Sequence, residues 1–393
     1  MSATKDSRTP TLIILLACAT LTVMAGATIA PSLPGLQDHF ADNPDATWLV
    51  PLILTVPGLA IALASPVTGY IVDRATKRNV LVFGICLYIL AGSSGLYLDA
   101  IGHILIGRVL LGIAVACIMP SAMALIANLY TDEERGRVLG YQAAAMSFGG
   151  VIFIMSGGLL ADVSWRGPFA VYLAPLVLLP LIALLVPPGK PLTANPDEPM
   201  PATSFPWAFA ATIIFSMFAN FLIFYTLPLK LPFLLRELGI ESAALAGAAI
   251  ATLTFTSGIV SLGFGRIRGL ARPPVIAACS FFITACGFAA LATLPPVWVV
   301  FALMMLIGFA SGVVLPNAST WLYSQVPPTM RGRAAGYMTM SVFTAQFLSA
   351  PIVAFLEPIG GLSLIYAAAA LTAIGAGLFY CSIAVRQPKA RPA

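Results

Sequence analysis

Charge is what this sequence most lacks. Only 9% of its 393 residues are charged while 59% are hydrophobic, and the mean hydropathy is +0.96. A globular domain in water carries about a quarter of its residues as charges, so the solvent for most of this chain must be lipid. The net charge of +5 does not mark a nucleic-acid surface, because basic residues come in twos and threes between long apolar runs and leave no element for a DNA- or RNA-binding module. Histidine is nearly missing, at two residues. Six cysteines, Cys18, Cys86, Cys117, Cys279, Cys286 and Cys381, lie in apolar stretches without a Cys-x-x-Cys. They are expected to be small buried hydrophobes, with neither a disulfide framework nor a metal site, and no cofactor is expected. A Gly-x-x-x-x-Gly-Lys-Ser/Thr motif is absent, which argues against ATP-driven work within this chain. Converging acids or a His/Glu pair, which a membrane enzyme would need, are absent too.

What is present is a series of apolar runs, each near the 20 or so residues that cross a bilayer core as a helix. They fall near 11–33, 47–72, 79–98, 103–127, 136–161, 167–187, 206–229, 243–266, 273–294, 297–323, 332–357 and 361–385. The fold class expected is an all-α polytopic membrane protein with twelve transmembrane helices. The first run exceeds a signal-peptide core, and a polytopic chain follows it. Arg166, Lys230 and Arg236 fall on one side of this arrangement and Arg108 within a span, while the other basic residues share the opposite side. Both termini are therefore expected to be cytoplasmic.

The chain also repeats itself. "DEERGRVLGY" at 132–141 is echoed by "TMRGRAAGY" at 329–337, at an offset of 331 − 135 = 196 residues. The same offset pairs Gly69 with Gly265, Gly112 with Gly308, Pro120 with Pro316, Gly140 with Gly336 and Tyr141 with Tyr337. Two parallel copies of six helices follow, over 1–187 and 206–393, joined by the Pro-rich polar linker "PGKPLTANPDEPMPATSF" at 188–205. Paired six-helix bundles with a site near the midplane are the architecture of alternating access.

Specific motifs now resemble the major facilitator superfamily. "GYIVDRATKR" at 69–78 is similar to its signature loop between spans 2 and 3, matching at Gly69, Asp73, Arg74, Lys77 and Arg78, with Thr76 where the family has Gly. "IGRVLLG" at 106–112 is similar to its span 4 motif. "IAPSLPGLQDHF" at 29–40 and "GGLLADVSWRGPF" at 157–169 resemble the twelve-helix drug:proton antiporter branch, although Phe153 and Ile154 stand where that branch has Gly-Pro. The resemblance covers the whole chain. It implies a multi-pass transporter of the bacterial inner membrane, working as a monomer and moving a small amphiphilic compound against protons. An organic-anion uniporter or symporter is the alternative. It also implies that Asp73, with Gly69, Arg74, Lys77 and Arg78, gates the cytoplasmic side, and that spans 1, 4, 7 and 10 line the cavity.

Individual side chains leave choices open. Arg108, a charge inside a span, costs roughly 2.5–3.5 kcal/mol on insertion scales. It is either a structural pin on backbone carbonyls or a group that binds an anionic substrate or tunes a proton acceptor. Asp162, four residues before Arg166, is either that arginine's local partner or a proton carrier. Asp38, His39, Asp99, His103 and Glu357 are expected at the outer interface. Thr22, Tyr70, Gln142, Asn220, Tyr225, Asn317, Trp321, Ser341 and Gln346 are candidates for substrate contact or interhelical hydrogen bonding. No carboxylate occupies the middle of spans 1, 4 or 7.

Overall fold

The computed structural model describes residues 5–130, 132–189, 206–327 and 330–386. Among them there is no strand, as a lipid-solvated chain requires: backbone groups that cannot reach water must pair within each segment. The long helices are α1 (Lys5–Ala27), α2 (Ala46–Arg74), α3 (Lys77–Gly92), α4 (Ile101–Leu129) and α5 (Asp132–Val163). A sixth crossing over Gly167–Leu185 is built in pieces and ends in α6 (Leu178–Leu185). Pro175 inside this stretch removes one i→i−4 donor, and the backbone there tightens to a 3₁₀ helix over Val171–Val177. Then come α7 (Trp207–Glu237), α8 (Ala243–Leu262), α9 (Pro273–Leu291), α10 (Val297–Gln325) and α11 (Arg331–Arg386).

Helix α11 resolves the number of crossings. Its 56 residues are interrupted by non-helical backbone at Gly360 and Gly361, the latter at φ 59, ψ −156. Only glycine adopts that conformation without strain. The break leaves two arms of membrane-spanning length, so the described residues supply twelve crossings, with the last boundary where the apolar runs end and resume.

The chain forms two compact units, Met1–Pro199 with Ile240–Ala251 and Met200–Gly239 with Thr252–Ala393. The first residues of α8 thus pack in the first unit, although the repeat counts them with the second copy. From residue 190 the linker lies outside the described residues. Within the units the repeat recurs as packing. A Cβ on Gly112 would lie 2.4 Å from the Pro57 carbonyl oxygen, and one on Gly308 would lie 2.6 Å from that of Leu253, again 196 residues on. The carbonyl of Ala116 accepts a hydrogen bond from the Thr68 hydroxyl, and that of Gly312 accepts one from Ser261. Helices 2 and 4 of each copy therefore touch backbone to backbone, as small residues allow in membranes.

Large apolar side chains also stand on the outside, among them Val163, Leu184, Trp298 and Val385, each more than three-quarters exposed. In water such surface would be a liability, and in lipid it is the solvated face. The cysteines divide the same way. Cys18 and Cys117 are buried as expected, but Cys86, Cys279, Cys286 and Cys381 are exposed, and all six are free. Apolar context identified them as lipid-compatible without telling core from lipid face.

Candidate functional site

The loop after α2 is held by side chains rather than left free. Arg74 lies with its guanidinium 3.6 Å from the Tyr70 ring centroid, a cation–π contact. Lys77 is fully buried, and the Gly189 backbone packs near it. Arg78 donates from Nη1 to the carbonyls of Val186 at 3.3 Å and Ala183 at 3.5 Å, at the C-terminal end of α6. Arg272 does the same in the second unit, donating to Ala384 near the end of α11 at 3.1 Å. A Cβ on Gly69 would meet nothing within 4 Å. The side chain of Asp73 lies outside the described residues, as do those of Arg135, Arg137 and Arg331.

Arg108 on α4 is completely buried. Its Nη2 donates to the Gly92 carbonyl at 2.7 Å, and its guanidinium lies 4.8 Å from the ring centroids of both Phe169 and Tyr172. The same aromatic pocket is tied to α1 by hydroxyl donors: Tyr88 to the Leu21 carbonyl at 2.9 Å, and Tyr172 to that of Met24 at 3.3 Å. Nε and Nη1 of Arg108 have no hydrogen-bond partner among the described residues. The geometry thus contains a pin and two unused donors in one side chain.

Asp162 is not the partner of Arg166. Arg166 pairs with Asp99, donates to the Gly95 carbonyl at 2.9 Å and stacks over Trp165 at 4.3 Å. Asp162 instead caps α8. Its Oδ1 accepts from the Ala243 amide at 2.6 Å, and its Oδ2 accepts from the Ala244 amide at 3.3 Å and the Ser242 hydroxyl at 3.1 Å. A helix N-terminus offers unpaired N–H groups and a partial positive charge, so a carboxylate from another helix satisfies both. Close approach makes this reach possible. A Cβ on Gly158 would lie 2.8 Å from the Ala243 carbonyl oxygen, and one on Gly247 would lie 3.1 Å from that of Ile154. Asp162→Ala is expected to lower stability by about 1 kcal/mol, the usual value of a helix cap, with Asp162→Asn in between. Equal thermal midpoints for all three proteins would remove the cap as a stabilising contact.

The polar candidates separate into two groups. Asn317 donates from Nδ2 to the Pro273 carbonyl at 2.9 Å, and Ser341 donates to that of Ile214 at 2.7 Å, so both hold helices together. Trp321 lies in an aromatic cluster with Phe209 at 5.3 Å and Tyr380 at 6.2 Å. Tyr225 packs on Phe224 at 5.8 Å. By contrast, Gln142 and Gln346 are buried with Oε1 atoms that have no partner among the described residues. Asn220 is buried on α7.

One site was missed by sequence reasoning. Lys230, expected outside the membrane, is buried within α7 and paired with Glu357 of α11, which was expected at the interface. The signal was faint: α7 continues to Glu237, eight residues past the end of its apolar run, so Lys230 sits a turn or two inside a helix rather than in a loop. Among the described residues no group of three His, Cys, Asp or Glu comes together as a metal site would need.

The family model described as Major Facilitator Superfamily matches residues 15–292 and 213–393. The chain is similar to the class C tetracycline resistance protein of Escherichia coli, 26% identical over 405 residues, with 96% of each chain covered. It is 30% identical over 175 residues to a puromycin resistance protein of Streptomyces alboniger, covering 44% of this chain and 34% of that one. The chain matches less than half the length of this relative and of others named for drug resistance. Among solved structures, a bacterial homolog of the human lysosomal transporter Spinster, in its inward-facing and occupied conformation, superposes with a TM-score of 0.79. That match covers 99% of this chain and 100% of the other at 17% identity, a likeness of fold alone.

Proposed function

Since the chain belongs to the major facilitator superfamily and is a membrane transporter rather than an enzyme, we propose that it exports a small amphiphilic or drug-like compound against a proton gradient. One observation carries this reading: a relative matched over 96% of both chains is named for tetracycline resistance. We place the protein in the bacterial inner membrane as a monomer with both termini cytoplasmic, following the basic bias of its loops. Gln142 and Gln346 supply polar contacts to substrate through their unpartnered amide oxygens, with Asn220, Tyr225 and Trp321 as further lining and Asn317 as a helix tie. Asp73 gates the cytoplasmic side with Gly69 and Arg74, while Lys77 and Arg78 anchor the loop. Asp162 serves as a helix cap on α8.

Purified protein in liposomes tests this with tetracycline and puromycin as probes. An imposed pH gradient is expected to drive at least one of them uphill, and a proton ionophore is expected to abolish the movement. Gradient-independent flux of either probe would overturn proton coupling. A second reading, transport of an organic anion, draws on the two unused donors of Arg108. Anionic compounds competing with the probes would favour it.

A further inference from the structure

Glu357 is held in an unusual way. Its Oε1 accepts a hydrogen bond from the Lys230 ammonium, whereas its Oε2 is closed off from solvent and has no hydrogen-bond partner among the described residues. The Lys230 side chain is 1% exposed and that of Glu357 26%. Lys230 is therefore sealed from solvent, while the Glu357 side chain is partly exposed through atoms other than Oε2. Lys230 Nζ also lies 4.5 Å from the Phe233 ring centroid, so the ammonium has an aromatic face beside its ion pair with Glu357. Glu357 closes the first arm of α11, followed by Pro358 and the non-helical Gly360 and Gly361.

We infer that Glu357 is the proton-binding carboxylate of this transporter and Lys230 its charge partner. This rests on the proton-coupled reading above and names the site at which coupling occurs. The step is simple: one hydronium proton enters through the partly exposed part of the Glu357 side chain and forms an O–H bond at Oε2, the oxygen that Lys230 does not engage, leaving a water molecule behind, and the carboxylate becomes a neutral acid. Lys230 keeps its own proton, so the net charge of the pair goes from zero to +1. A buried ion pair is tolerable only while both charges are present, and losing one strands the other in an apolar surrounding. Proton binding therefore favours a conformation in which the Lys230 turn of α7 separates from α11 and gains water or an anion. Proton loss restores the pair.

The surroundings suit this assignment. Glu237 stands at the end of α7, and Tyr366 on the second arm of α11 has a buried hydroxyl with no partner among the described residues. Glu237 adds a second negative charge that acts on both Lys230 and Tyr366. Helix α9, packed against α11, contributes no carboxylate, histidine or base, only the exposed Cys279 and Cys286. Among the described residues, Glu357 is the carboxylate that pairs with Lys230 directly.

Infrared difference spectroscopy on the protein in phosphatidylcholine vesicles, titrated with acid, decides whether Glu357 takes up a proton without needing a transported compound. The wild type is expected to gain a carboxylic-acid carbonyl band that Glu357→Gln lacks, and identical titrations would overturn the assignment. The coupling arm uses tetracycline in proteoliposomes. Glu357→Gln is expected to lose gradient-driven accumulation, leaving movement that no longer responds to pH. Because Glu357→Gln strands Lys230, the double variant Lys230→Met/Glu357→Gln serves as the folding control, with both charges removed together. It is expected to fold and to show the same uncoupled behaviour, whereas normal coupling in it would sink the proposal. A wild type that fails to respond to the gradient would instead defeat the export reading, with the infrared band still deciding the proton site.

Discussion

Alanine in place of Gly112 or Gly308 is expected to destabilise the folded protein by about 1–3 kcal/mol each, the range for forcing extra atoms into a packed interior. At Gly112 the new Cβ would stand 2.4 Å from the Pro57 carbonyl oxygen and 2.5 Å from the Ala60 Cβ. At Gly308 it would stand 2.6 Å from the Leu253 oxygen and 3.1 Å from the Thr256 Cβ. The obstructing atoms belong mostly to helix backbone, which cannot rotate away as the end of a flexible side chain could. Whole helices must part, and every other contact along their seam loosens. Gly140 and Gly336 are the matched controls, since they too stand 196 residues apart in helices, yet a Cβ on either would meet nothing within 4 Å. Alanine there should be neutral or stabilising, by up to about 1 kcal/mol, because it restricts the unfolded chain. Thermal unfolding in detergent of the four single variants checks the claim. A common shift in all four would mean that the repeated glycines do not work through close packing at 112 and 308.

The second large effect is expected at Arg108. Substituting Gln removes a hydrogen bond from a charged donor to the Gly92 carbonyl and two cation–π contacts, and leaves that carbonyl without its side-chain donor. These losses, partly offset by relief of a buried charge, amount to about 2 kcal/mol. Substituting Lys keeps the charge but not the planar fork that lets one group sit between two rings while donating to a carbonyl. Both variants are therefore expected to unfold at lower temperature, with or without ligand. If Nε and Nη1 also bind an anion, both variants lose anion binding beyond what the stability change explains, Gln more than Lys. Unchanged midpoints in both would show that the aromatic pocket does not depend on the guanidinium.

Gly112, Gly308 and Arg108 show what the letters alone carried and where they stopped. Gly112 and Gly308 were visible as a repeated pair, and their packing partners Pro57 and Leu253 obey the same offset, so the repeat held from letters to contacts. Arg108 stood out as a charge within a span, but the Gly92 carbonyl and the Phe169 and Tyr172 rings that surround it could not be read from the letters. Asp162 was read through its nearest charge in sequence, Arg166. A helix start 81 residues away claimed it instead, because three donors at an N-terminus outbid one arginine already engaged by Asp99. Lys230 and Glu357, 127 residues apart, lay beyond any local pattern.

The sequence by itself determined the solvent, the twelve crossings and the two copies, because each is written as composition, run length or repetition along the chain, and it indicated the family through the motifs at 69–78 and 106–112, which resemble that superfamily's. Only the tertiary structure decided which apolar residues are core and which face lipid, and which polar groups meet. The physical reason is that lipid and protein interior are equally apolar. The hydrophobic periodicity that marks a buried face in water is flattened here, and the cysteines exposed on the helices read the same as those inside. Charges are so few that each finds its partner through three-dimensional proximity rather than spacing, as Glu357 does with Lys230.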